Sequence, residues 1–132
     1  MRKEWEVLHT AVNCEISLDR ESKILICRWI GFQHEKPLKD SGKIILVLLK
    51  KHKCCKILND NTDVLGPWYH SAEWTSTKWF PNMIEAGLRH FAWVCPKDMF
   101  AQLSAEKALP QQRVVKTFYF VEEAMDWLKT QE

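Results

Sequence analysis

Glycine is scarce in this chain, four in 132 residues, and the four are scattered. That excludes a phosphate-cradling loop, whose backbone must approach its ligand with no Cβ in the way. An excess of one charge is also missing: the formal net charge is +2, with both signs interspersed, so nothing electrostatic recommends nucleic acid or an anionic membrane. The longest apolar run, Ile44 to Leu49, is far too short to span a bilayer. The opening Met1-Arg2-Lys3-Glu4-Trp5-Glu6 is charged and lacks the apolar segment of a signal peptide. Cysteines number five, an odd count, and sit mostly inside apolar runs. Reduced, buried thiols and a cytoplasmic location are the expectation, not a disulfide framework.

What the sequence has in abundance is tryptophan, seven in all. Indole buries a large area and needs one hydrogen-bond acceptor, so most of the seven belong to the core or its rim. The length fits one domain, 1–132, with no repeat, low-complexity tract or linker to divide it.

The clearest local signal runs from Trp79 to Pro96. Trp79, Phe80, Met83, Ile84 and Leu88 recur at helical spacing, and Gly87 stands where that face ends. Phe91-Ala92-Trp93-Val94-Cys95 then reads as a strand covered on both faces, and Pro96 stops it. Upstream, alternation from Leu8 to Leu18 predicts a strand with one wet face, and Lys23 to Ile30 a second that Gly31 ends, the two forming an antiparallel hairpin joined by Asp19-Arg20-Glu21-Ser22. The segment 35–52 fits either a helix or, around Ile44-Val47, a buried strand; the basic tail Lys50-Lys51-His52-Lys53 favours the helix. Cys54 to Asp60 is the next strand, followed by a loop and a helix from Trp68 or Ser71 toward Phe80, where Pro81 must kink it or begin a new segment. A helix opening at Lys97-Asp98 and running to Leu103, a short turn from Ser104, a strand at 114–120 and a helix from Val121 to Lys129 complete the chain. The class is therefore α/β: a mixed five-stranded sheet, antiparallel at its start and parallel after, with about four helices.

Candidate chemistry is thin. His52-Lys53-Cys54-Cys55 holds soft ligands, but adjacent strand residues point to opposite faces and no second pair stands at ligand spacing, so no metal or cofactor is expected. Cys95 could be paired with His90 or His70, but His90 fails the same alternation test and Cys95 reads as a core thiol, so no catalytic set is assigned. Glu122-Glu123 suits a helix start and the basic run a solvated helix end. Open α/β sheets bind ligands beyond the carboxyl ends of their strands. There the sequence places Asp60, Asn61 and Thr62 after one strand and Pro96 and Lys97 after the next, with Trp68 and Trp74 as an aromatic wall. Helix N-termini following both loops would add N–H groups that favour a polar or anionic group.

Glu73-Trp74, Trp79-Phe80-Pro81, Glu85-Ala86-Gly87-Leu88-Arg89, Phe91-Ala92-Trp93-Val94 and Phe100-Ala101-Gln102-Leu103-Ser104 resemble the SpoIIAA-like family of STAS/SEC14-type domains. Cys27-Arg28-Trp29-Ile30-Gly31, Asn59-Asp60 and the closing Phe118-Tyr119-Phe120 with Glu122 to Leu128 continue the likeness over nearly the whole chain. The resemblance implies a STAS-like fold and a bacterial, cytoplasmic, non-enzymatic module of regulation or binding. Its partner would be a regulatory protein or, on the SEC14 side, a small lipid-like or anionic ligand; a homo-oligomer stays open. STAS relatives that antagonise anti-sigma factors carry an Asp-Ser-Ser-Gly segment with a phosphorylated serine. Here the corresponding exit is Asp60-Asn61-Thr62-Asp63, and Thr62 is its only hydroxyl.

Overall fold

The structure, a computed structural model, describes residues 5–132. The charged opening Met1-Arg2-Lys3-Glu4 lies outside the described residues. Six strands form one sheet in chain order: β1 (Glu6–Thr10), β2 (Cys14–Asp19), β3 (Ile24–Phe32), β4 (Lys56–Leu65), β5 (His90–Val94) and β6 (Val115–Phe118). The pairs β1–β2 and β2–β3 are antiparallel; β3–β4, β4–β5 and β5–β6 are parallel. Four helical rods accompany them. α1 spans Glu35–Lys51, α4 Met99–Ala108 and α5 Val121–Thr130; the second rod is α2 (Tyr69–Trp74), a π turn (Thr75–Trp79) and α3 (Phe80–Glu85) in unbroken helical backbone.

Because the parallel strands are laid down in one direction, right-handed crossovers send every connecting helix to the same side. α1, the second rod and α4 accordingly share one face, over the buried Ile16, Cys27, Ile57, Phe91 and Trp93. α5 follows the last strand and packs on the other face, where Ala124, Met125 and Leu128 cover Ile26, Leu58, Ala92 and Val94. The expected five strands are six, since 8–18 is not one strand. Ala11 and Cys14 exchange backbone hydrogen bonds of 2.8 and 3.4 Å around Val12-Asn13, closing a hairpin within it. The alternation of Cys14, Ile16 and Leu18 holds; the turn went unseen because it has neither glycine nor proline. β3 also runs through Gly31 to Phe32 instead of ending there, and β4 runs on to Leu65 where a loop was expected after Asp60.

The segment 35–52 is helical, with Ile45 and Leu49 fully buried. α3 ends as its sequence foretold. Gly87 takes φ +119, Gly87 N–H donates to the Ile84 carbonyl and Leu88 N–H to that of Met83, both at 3.0 Å. α1 ends the same way on Lys53, whose φ of 54 is reached without glycine. Pro81 sits in the first turn of α3 and so begins a new helical segment, one of the two outcomes expected of it. The π turn just before it shifts the ladder, as Phe80 N–H donates to Thr75 O five residues back, so the missing proline N–H falls beside an already irregular stretch.

α4 is one helix through Ala108, not a short helix and a turn, and Asp98 caps it. The Asp98 carboxylate accepts from Phe100 N–H at 2.8 Å, Ala101 N–H at 3.1 Å and Gly66 N–H at 3.2 Å, tying the end of β4 to the start of α4. Those N–H groups hold its pKa below 3.8, the ordinary value. A depressed carboxylate stabilises the fold above its unfolded pKa and loses that contribution as pH falls through the folded value. Wild type should thus melt higher than Asp98→Ala at pH 7, with the gap closing below pH 3.8; a gap independent of pH in thermal melts refutes the cap's charge.

Candidate ligand cavity

Strand β4 carries asparagines at 59 and 61, on the face that the three connecting helices cover, and both are buried. An amide in such a place needs partners. Trp29, from the neighbouring β3, supplies the first: its Nε1–H donates to Asn59 Oδ1 at 2.8 Å. Indole is a donor only, so this bond fixes which end of Asn59 is oxygen. Asn59 Nδ2 must then donate onward, and it does, to Asn61 Oδ1 at 3.1 Å. The chain ends on Asn61 Nδ2, which donates to nothing among the described residues. A register shift between Arg28 and Ile30 lets Asn61 and Thr62 together oppose Trp29, which makes room for this arrangement.

In front of these amides lies a cavity of about 40 Å³. By that measure a water needs roughly 10–15 Å³, so the void takes a few waters or one small organic group. Trp29, Trp68, Trp74, Trp79 and Trp93 all line it, and no charged side chain does. Two of the indoles are satisfied, Trp29 on Asn59 and Trp79 on the Gly42 carbonyl at 2.8 Å. Trp68 and Trp93, 4% and 3% exposed, each bury an Nε1–H with no acceptor among the described residues. Gly42 is the floor on the α1 side. A Cβ there would stand 3.1 Å from Trp74 Cη2 and 3.1 Å from Trp79 Nε1, so glycine, though poor in a helix, is what lets both indoles approach. At the rim Lys39 Nζ lies 5.7 Å from the centre of the Trp74 ring and is paired with Glu35 at 2.8 Å. The α2 end is fastened twice: Trp68 N–H donates to Ser104 Oγ at 2.8 Å, and His70 Nε2 donates to the Gln33 carbonyl at 3.0 Å.

Of the seven residues expected at the sheet's carboxyl edge, Asn61, Trp68 and Trp74 come together at this cavity. Asp60, Thr62, Pro96 and Lys97 do not line it. Asp60 is level with Val94, so it and Pro96-Lys97 emerge at the same end of the sheet, but alternation turns it to the opposite face. There it lines a second hollow of about 100 Å³ with Arg28, Glu15 and Val121. It accepts from Thr62 N–H at 3.0 Å and from the Thr62 hydroxyl at 2.5 Å, and Arg28 bridges to Asp63 at 2.8 Å, so Asp60, Arg28 and the Thr62 hydroxyl are already partnered. Pro96 is buried and Lys97 exposed. The expected free helix N-termini are not free either: Asp98 occupies that of α4, and α2 is a single short turn and a half. Trp29, Asn59 and Trp93 were not singled out as site residues, although Asn at i and i+2 inside an apolar strand was a legible signal.

Nucleophile chemistry finds no support in the thiols. Burial, reinforced by Glu15, pushes Cys14 up to about 12, and burial raises Cys27, Cys54 and Cys95 as well. His90 packs edge-on against Trp127 of α5, 5.8 Å between centres, on the face opposite the cavity. Among the described residues no three His, Cys, Asp or Glu side chains converge as metal ligands, and no helix is long and apolar enough to cross a membrane. No protein-family model, curated protein or solved structure matches the chain.

Proposed function

We propose that this chain is a non-enzymatic binding module whose tryptophan-walled cavity takes a small molecule. One observation carries the reading: a void lined by five indoles and a terminated amide chain, with no acidic, basic or thiol side chain on its wall. A packed interior has few voids larger than a water, and buried polar donors are ordinarily paired. A cavity with unpaired donors around it is what a ligand site looks like before its ligand arrives. The further reading as a STAS-like domain in the cytoplasm rests on the residue resemblance, supported by an antiparallel lead-in followed by parallel β-helix units and by five unpaired cysteines.

Gly42→Ala tests it. Alanine favours a mid-helix position by about 1 kcal/mol, which offsets the displacement of Trp74 and Trp79, so the fold should persist while the added methyl narrows the cavity. Native mass spectrometry of gently purified wild type is expected to show a bound small mass that Gly42→Ala loses. Wild type that carries no such mass, and that gains no thermal stability across a fragment panel, refutes the proposal. A second reading, a docking module for a regulatory protein, is favoured by exposed Phe32 and Leu65, register partners at the ends of β3 and β4, and by Met99 and Phe100 near them in α4. It predicts no small mass and no effect of Gly42→Ala.

A further inference from the structure

We infer that the cavity is built for an uncharged hydrogen-bond acceptor, a carbonyl-type oxygen on a small molecule, with Asn61 Nδ2 as its principal donor. The inference rests on the ligand-binding reading above and specifies the ligand's chemistry. Each polar group around the void can be assigned a direction. The Trp29 donor fixes Asn59, Asn59 fixes Asn61, and the two free hydrogens of the chain's last amide are left over. Trp68 and Trp93 line the void as rings, and their own buried N–H groups can never accept. Two acceptors are spoken for: Gln33 Oε1 takes the Asn13 amide at 3.1 Å, and the Gly42 carbonyl takes Trp79. Thr75 donates its hydroxyl hydrogen to the Ser71 carbonyl at 2.9 Å, which leaves its oxygen able only to accept. At Asn61, the end of the amide chain, the wall offers free hydrogens and asks for an acceptor.

Charge decides between the two kinds of acceptor. An anion would be desolvated in a site with no cation on its wall, and the nearest ammonium described above, Lys39, is already neutralised by Glu35 outside the Trp74 ring. A cation would meet the Asn61 amide hydrogens and no carboxylate. A neutral oxygen avoids both penalties, and the indole walls suit the apolar or planar body that carries it.

Acetone and isobutene have nearly the same shape and differ in having or lacking the acceptor, so their affinity ratio isolates the hydrogen bond. Ligand-observed NMR on the full chain would measure both, with bromide as the anionic acceptor. Wild type should bind acetone, and Asn61→Leu should lower the acetone-to-isobutene ratio about tenfold. Asn61→Ala deletes the same donor in a smaller side chain and should lower the ratio as well; it carries the test if Asn61→Leu does not fold. A ratio unmoved by the variants overturns the donor assignment while leaving a ligand cavity, and bromide binding tighter than acetone overturns the uncharged class. Binding of none of the three removes the ligand-binding reading itself.

Discussion

Phe80→Ala should lower the free energy of unfolding by about 3–5 kcal/mol, a large share of the roughly 5–15 kcal/mol that holds a domain together. Phe80 is fully buried at the centre of an aromatic cluster, its ring 5.1 Å from Trp79, 4.9 Å from Phe91 and 6.2 Å from Trp93 between centres. The ring sits on the second rod, while Phe91 and Trp93 sit on β5, so its loss opens a void in the layer between helix and sheet. Rigid neighbours cannot collapse into that void, because Phe91 and Trp93 are themselves held edge-on at 5.5 Å. Trp79, one residue earlier, also lines the ligand cavity, so ligand binding should weaken along with stability. Urea denaturation would show the midpoint falling with little change in slope. A loss under about 1 kcal/mol would mean that the cluster is looser than these distances imply.

The second large effect belongs to the amide chain. Asn59→Leu keeps the side chain's size but leaves Trp29 Nε1–H and Asn61 Oδ1 without the partners they have at 2.8 and 3.1 Å. Each of the two buried orphans costs about 1–3 kcal/mol, so a total of about 2–6 kcal/mol is expected. Trp29→Phe removes the donor and strands the Asn59 oxygen instead. Combining the two changes removes both ends of that bond, and the double variant should be more stable than the summed single effects by about 1 kcal/mol or more. Additive losses in a denaturant double-mutant cycle would show that the Trp29–Asn59 bond contributes nothing. The same measurement bears on ligand chemistry, because freeing the Asn61 oxygen allows its amide to turn and present an acceptor to the cavity.

Much of this architecture could be read from local pattern. The Phe91 to Cys95 run needs cover on both faces, and β5 has it, with Phe91 and Trp93 under the helices and Ala92 and Val94 under α5. Gly87 can adopt the positive φ that ends α3, and the structure uses it there. The β1–β2 hairpin escaped notice because alternation continues across its turn, and period alone does not report a reversal of direction. α4 appeared too short because its buried residues, Ala101, Ser104, Ala105 and Ala108, are small and carry little hydrophobic signal.

Periodicity, glycine placement and apolar run length by themselves determined the α/β class, the mixed sheet and the faces of most elements, because these depend on near neighbours in the chain. The composition of the cavity was decided only by tertiary structure. Trp29 meets Asn59 across parallel strands thirty positions apart, and Trp79 reaches Gly42 from a different helix. Alternation put Asp60 and Asn61 on opposite faces, and the unforeseen extension of β4 kept Thr62 within the strand, so adjacent letters that read as one loop became parts of two different surfaces. Which indoles find acceptors, and which do not, depends on distances between residues that sequence separation does not fix.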